Sequence, residues 1–280
     1  MTNHQTDSIM AMNWKTFFTR TWTALVFGAV MLTGLLGPWY AFWLLFALVQ
    51  CLCIREYFQL MSHKGITVPG PAIQWGLQLW AFTMISFLAV PALQEHKIIP
   101  AALIVLPALL LFGEGLRKQG SAFSVLSGLG SVAYIVLPLN LLMLLYRIDA
   151  VLPAGLIFLI WINDTMAYVV GSFIGKTPFS QISPKKTWEG TGGGAVLTVL
   201  VAFIYGKCNT HLPVQHWVVL ALCAAVAGTM GDLFESKLKR EAGVKDSGSF
   251  MPGHGGALDR FDSLLLATPF AYAYAILFLQ

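Results

Sequence analysis

The sequence predicts an all-α, polytopic membrane protein of eight or nine transmembrane helices, and three observations carry that prediction. Only 11% of its 280 residues are charged and 57% are hydrophobic, against roughly 25% charged in ordinary soluble domains. Apolar stretches recur along nearly the whole chain, long enough to cross a hydrocarbon core of about 30 Å, which takes about 20 helical residues. They are continuously apolar, as from Ala101 to Phe112, without the in-and-out alternation of barrel strands. Helices are then the means by which their backbone groups are satisfied in lipid.

The elements follow from the polar breaks between these runs. Met1 to Thr21 is too polar for a secretory signal, so no cleavage is expected. Residues 1–22 carry Met10, Met12, Trp14, Phe17 and Phe18 beside Lys15 and Arg20, which suits an amphipathic segment on the cytoplasmic membrane surface and equally a frayed tail. Spans are predicted at 23–36, 40–54, 72–92, 98–113, 122–146, 150–174, 191–206, 216–231 and 261–279. Gly37 and Pro38 leave almost no loop between the first two. Those two form a tight hairpin or one long bent helix, and in the second case the count is eight. Cys51, Cys53, Cys208 and Cys223 show no ligand-like spacing with histidine and read as inert thiols.

The distribution of positive charge tests nine spans, because cytoplasmic loops are enriched in Lys and Arg. With the N-terminus in the cytoplasm, fourteen of the seventeen basic residues fall inside, and only Lys97, Arg147 and Lys207 fall outside. The polar connections 175–190 and 232–260 are then both cytoplasmic. Acidic residues are uneven too: Asp7, Glu56, Glu95, Glu114 and Asp149 precede Ile162, and the other eight follow. Residues 23–149 therefore read as scaffold and 150–280 as the working region.

Three segments of that region carry chemistry. Asp164 lies deep in an apolar run, where a carboxylate costs several kcal/mol unless it meets a cavity, a cation or a partner. On a helix Tyr168 and Gly171 share its face and Asn163 stands beside it; a protonated Asp bonding a neighbouring helix is the plainer alternative. The connection from Gly175 to Gly190 sets Lys185 and Lys186 between Ser183 and Thr187, just ahead of Gly190 and Gly192–Gly194. Lysines, hydroxyls and glycine backbone at a helix start suit phosphates, although such lysines also serve as topology signals and such glycines as packing sites.

The densest constellation runs from Gly231 to Asp262. If 233–240 is helical, Asp232 and Ser236 lie one turn apart on one face, an oxygen-rich surface for a hard cation. Asp259 and Asp262 share a face at the next helix start. Pro252, Gly253, Gly255 and Gly256 form a tight loop that holds His254 out of regular structure. Metal-binding carboxylates among Lys and Arg are the equipment of phosphoryl and nucleotidyl transfer. A merely solvated loop would explain the charge but not the glycines and histidine among paired aspartates.

This segment resembles the signature of the CDP-diacylglycerol synthase (phosphatidate cytidylyltransferase) family: Ser236, Leu238, Lys239, Arg240, Lys245, Asp246, Gly248, Met251, Pro252, His254, Gly255, Gly256, Ala257, Asp259, Arg260, Phe261 and Asp262. Met251 and Ala257 depart mildly, at packing positions. Trp161–Asp164 with Ala167 and Tyr168, Ser183–Gly190, and Gly231–Asp232 also resemble family motifs, so the likeness covers about residues 155–265. It implies that CTP and phosphatidate give CDP-diacylglycerol and diphosphate, with Mg2+, room for a second cation such as K+, a homodimer in the inner membrane, and no nucleic-acid partner.

On this basis Asp232 and Asp259 are expected as metal ligands, with Asp164, Asp246, Asp262 and Ser236 as further ligands or their supports. Lys239, Arg240 and His254 join Asp232 and Asp259 as catalytic residues, His254 as a neutral donor in its turn. Ser183, Lys185, Lys186, Lys245 and Arg260 are expected to bind CTP phosphates or the lipid headgroup. Two rivals stand beside this reading: a CTP-dependent kinase or cytidylyltransferase acting on another lipid, and an ion transporter using Asp164.

Overall fold

The computed structural model describes residues 14 to 279 apart from 97, 252 and 254. Among the described residues nine long helices follow one another: α1 (Trp14–Leu36), α2 (Trp39–His63), α3 (Pro71–Ala89), α4 (Ile98–Leu116), α5 (Ala122–Ile148), α6 (Val151–Ile174), α7 (Trp188–Cys208), α8 (Val214–Glu241) and α9 (Leu258–Phe278). Eight of them, α2 to α9, are long and apolar enough to cross a membrane, and α1 adds the shorter apolar stretch Thr21–Leu36. The protein is thus a multi-pass membrane protein, all-α as the composition predicts.

Local chemistry sets the breaks. Pro38 has φ −67° and ψ 159°, so it ends α1 and starts α2 without a loop, because proline donates no N–H and clashes with a helical turn before it. Gly34 packs against Leu45, so the pair forms a tight hairpin. α1 begins at Trp14, within the segment expected to be amphipathic, and residues 1–13 of that segment lie outside the described residues. Ser121 and Ser124 form a reciprocal cap at the start of α5, satisfying donors that have no intrahelical partner. Two wide turns interrupt the long helices: Val132–Val136, just before Pro138 in α5, and Cys223–Gly228, one turn before Asp232 in α8. Wide turns of this kind accommodate a residue that breaks the regular ladder and recur at functional sites.

The core is built around α2, α5 and α9. α9 packs against α2, α5, α6 and α8. Its Phe261 ring stands edge-on to Phe27 of α1 and Phe46 of α2, each 6.2 Å away. Large apolar side chains of α4 and α7, such as Ile104, Phe112, Val196 and Phe203, stay exposed, which is where lipid tails replace protein contacts.

Alternation of the helices brings the connections 64–70, 117–121, 175–187 and 242–257 to one end. Specific bonds join them there: the Lys64–Glu241 ion pair, the Lys186–Asp232 ion pair, and the Gly70 N–H donating to Glu114 Oε2 at 3.1 Å. The opposite end is tied by His211 to Asp149 at 2.7 Å and by Arg147 to the Leu88 carbonyl at 3.3 Å.

Candidate active site

The site forms where α2, α6 and α8 finish and α7 and α9 begin. Asn163, Asp164, Ala167, Tyr168, Gly171 and Ser172 of α6 line a cavity of about 660 Å³. Its other walls are Ser183, Lys185, Lys186 and Thr187 of the connection, with Thr191, Thr229 and Asp232. Asp164 is exposed because it opens into this space. Tyr168 and Gly171 face the cavity with it, as their spacing on one helix face predicts.

The 175–187 connection is folded. The Phe179 N–H donates to the Lys186 carbonyl at 2.7 Å and the Trp188 N–H to the Thr177 carbonyl at 3.0 Å. The Glu189 carboxylate accepts from the Thr177 N–H at 3.1 Å and its hydroxyl at 2.8 Å. This fixes where the lysines point: the Lys186 ammonium pairs with Asp232, and Lys185 stays exposed on the wall. Thr187 caps α7, its hydroxyl accepting from the Gly190 N–H at 3.1 Å.

Most of the glycine run serves packing. A Cβ on Gly194 would lie 2.8 Å from the backbone nitrogen of Ala167, and one on Gly190 would lie 2.8 Å from the Ala167 carbonyl oxygen. Gly193 meets the Val170 side chain in the same way, whereas Gly192 has open space. Small residues thus let α7 approach the α6 backbone closely, and that approach fixes the helix carrying Asp164.

Helices α8 and α9 supply the acidic half. The Ser236 hydroxyl donates to Asp232 Oδ1 at 3.2 Å, as their one-turn spacing predicts. Glu235, fully buried, and Asp262 of α9 complete a triad with Asp232, in which one oxygen from each carboxylate lies within 4.8 Å of the others. The Lys239 ammonium pairs with Glu235 and with Asp259 Oδ1, the latter at 2.7 Å. Asp259 Oδ2 accepts the N–H groups of Ser247 at 2.9 Å and Gly256 at 2.7 Å. Gly255, with φ +83°, turns the chain tightly beside that carboxylate, a conformation that glycine adopts without steric cost.

These residues fit a hard divalent cation. Four carboxylates, Asp232, Glu235, Asp259 and Asp262, share two ammonium groups, Lys186 and Lys239. Buried Glu235 meets the Lys239 ammonium through Oε2, and its Oε1 has no hydrogen-bond donor among the described residues. An all-oxygen donor set with excess negative charge suits Mg2+, which is held by one or two carboxylates together with phosphate oxygens.

Of the residues expected from sequence, the structure gathers Asp164, Ser183, Lys185, Lys186 and Asp232 around the cavity, with Ser236 and Asp262 beside Asp232 and Lys239 beside Asp259. Arg240, Lys245 and Asp246 are exposed and are not among the residues that line the cavity. Arg260 lines a separate, small pocket with Met31, Ile160 and Trp161. His254 and Pro252 lie outside the described residues. Two participants were missed. Glu235 stands three residues after Asp232, so its placement on the same face was visible in the spacing. Glu56 of α2 bonds the 242–257 connection and the start of α9, and no local pattern announced it.

A cavity that sets lysines against clustered carboxylates at one end of a bundle of membrane-spanning helices has the equipment of an enzyme of the phosphoryl- or nucleotidyl-transfer class. The profile of the Cytidylyltransferase family matches residues 18–278. The phosphatidate cytidylyltransferase of Synechocystis sp. is 33% identical over 279 residues, covering 88% of this chain and 91% of that protein. The Staphylococcus epidermidis phosphatidate cytidylyltransferase is 30% identical over 255 residues, 89% of this chain and 95% of that protein. The Bacillus subtilis phosphatidate cytidylyltransferase is 46% identical over 121 residues, 42% of this chain and 45% of that protein. The chain belongs to the cytidylyltransferase family.

Proposed function

We propose that this protein is a phosphatidate cytidylyltransferase that joins CTP and phosphatidate to give CDP-diacylglycerol and diphosphate. The observation that carries the reading is the single cavity into which Lys185, Lys186, Asp164 and Asp232 open, next to the Asp232–Glu235–Asp262 cluster. A phosphatidate phosphate oxygen attacks the α-phosphorus of CTP. One P–O bond forms there as the bond to the bridging oxygen of the β-phosphate breaks, and diphosphate leaves. The attacking phosphate is already an anion near neutral pH, so positioning and charge neutralisation dominate over a general base.

Asp232, Glu235 and Asp262 would hold Mg2+, whose chemistry is to neutralise phosphate oxygens. Asp259 stands next to them, oriented by Lys239 and two backbone donors. Lys185, Lys186 and Ser183 receive phosphates, the exposed Lys245 and Arg240 meet the incoming nucleotide, and Asp246 is a further ligand of the cation or a support for one. Asp164, across the cavity from Asp232, is the group available to a second, monovalent cation. The reading takes the protein as a homodimer of the inner membrane, with the site and the N-terminus in the cytoplasm. The excess of Lys and Arg in the connections at the site's end supports that orientation.

The test is purified protein with phosphatidate, Mg2+ and CTP labelled at the α- or the γ-phosphate, followed by lipid extraction. Phosphatidate-dependent α-label in the lipid is the expected result. Transfer of γ-label to an added lipid alcohol would make the protein a kinase, and ion flux in sealed vesicles without CTP would make it a transporter.

A further inference from the structure

Glu56 lies near the end of α2, far along the chain from the Asp232–Glu235–Asp262 cluster, and is 5% exposed. Its carboxylate reaches the catalytic half through three donors. Oε1 accepts the Ala257 N–H at 2.9 Å; Oε2 accepts the Leu258 N–H at 2.8 Å and the Ser247 hydroxyl at 3.0 Å. Gly248 and Gly256 close over the same carboxylate, and a Cβ on either would collide with it.

Ala257 precedes the first turn of α9 and offers no side chain to cap it. The N–H groups that a helix start leaves without an intrahelical partner are here met by a carboxylate about 200 residues earlier in the chain. Negative charge at that position also complements the positive end of the helix dipole. The helix so capped carries Asp259 and Asp262, and Ser247, held by Glu56 through its hydroxyl, holds Asp259 through its N–H. One side chain thus fixes both the loop and the helix start that aim two of the aspartates.

We propose that Glu56 is a positioning residue for the transfer reaction, setting the start of α9 so that Asp262 completes the cation cluster with Asp232 and Glu235. This rests on reading that cluster as the cation site. Gln in place of Glu56 keeps the shape but turns an amide N–H2 toward N–H donors, so at least one bond is lost and one becomes repulsive. Asp keeps the charge on a shorter stem and restores part of the cradle.

The experiment compares wild type, Glu56→Gln, Glu56→Asp, Ser247→Ala and Asp232→Asn in detergent, measuring unfolding temperature, kcat, the KM for each substrate and the Mg2+ concentration for half-maximal rate. Supports behind metal ligands typically matter by about 10- to 100-fold, so Glu56→Gln should raise the Mg2+ requirement about tenfold and lower kcat. The KM for phosphatidate should move less than about twofold, since Glu56 lines no part of the cavity. Glu56→Asp should recover part of the loss, and Ser247→Ala should shift the Mg2+ requirement in the same direction by a smaller factor, which keeps the test alive if Glu56→Gln does not fold. An unchanged Mg2+ requirement in a folded Glu56→Gln or, failing that, in Ser247→Ala overturns the proposal. Asp232→Asn separates the two readings: if it keeps a normal Mg2+ requirement the cation-site reading itself falls, and if it is inactive while Glu56→Gln is normal only the role of Glu56 falls.

Discussion

Lys186, on the connection ahead of α7, forms an ion pair with Asp232 of α8, so a loop residue reaches across the cavity to the carboxylate cluster. Both side chains are about a quarter exposed, and the ammonium sits at the boundary between the wall that receives phosphates and the one that holds a cation. Replacing Lys186 by Gln removes the charge that meets a phosphate and leaves Asp232, among the described residues, with the Ser236 hydroxyl as its donor. The expected result is a loss of about 10²-fold or more in kcat/KM for CTP, the scale of removing a preorganised electrostatic group. Lys185→Gln, at an exposed position, should cost about tenfold or less, in line with the small worth of solvated charges. Transfer of α-label from CTP to lipid measures both, and a Lys186→Gln enzyme at wild-type rate would take that lysine out of the reaction.

The carboxylate triad makes a prediction that needs no turnover. A ligand that binds only the folded state stabilises it, by about 2.7 kcal/mol at 100 times its Kd. Mg2+ should therefore raise the unfolding temperature of the wild-type protein in detergent. Asp232→Asn, Glu235→Gln and Asp262→Asn should each lose that rise, whereas Asp259→Asn, whose carboxylate is engaged by Lys239, Ser247 and Gly256, should keep most of it while losing turnover. Equal stabilisation of all four variants would place the cation elsewhere.

Arg240, in the last turn of α8, has an exposed side chain. A solvent-exposed charge acts mainly on encounter and is screened by salt. Arg240→Gln should raise the apparent KM for CTP by roughly three- to tenfold at low ionic strength, leave kcat within about twofold, and lose most of its effect at high salt. A fall in kcat that persists at high salt would instead put Arg240 on the reacting phosphates.

The parts of this architecture that rest on short-range spacing were legible in the sequence. Asp164, Tyr168 and Gly171 face one cavity because i, i+4 and i+7 share a helix face, and Ser236 bonds Asp232 for the same reason. Spacing also sets Glu235 one turn from Asp232, but its burial depends on how distant helices pack around α8, which short-range pattern does not give. The glycines after Lys186 fit two physical needs equally well, a phosphate cradle and close helix packing, and the chain alone does not say which neighbour comes near. Glu56 was out of reach altogether, since its partners lie about 200 residues away and its role depends on how α2 packs beside α9.

The glycine contacts separate two neighbouring substitutions that look alike on paper. Gly194 sits where an added Cβ would be 2.8 Å from the Ala167 nitrogen and 2.9 Å from its Cα, both backbone atoms that cannot swing away, whereas Gly192 has nothing within 4 Å. Gly194→Ala should force α7 off α6 at a cost of about 1–3 kcal/mol, the range for overpacking. Because Ala167 is one turn beyond Asp164 on α6, the displacement should also reduce turnover. Gly192→Ala should be neutral or stabilising, by up to the roughly 1 kcal/mol that alanine gains over glycine within a helix. Unfolding temperatures and CTP turnover of the two variants measure the contrast. If Gly194→Ala proved as stable and active as Gly192→Ala, the close approach of α6 and α7 would not be what holds Asp164 in the cavity wall.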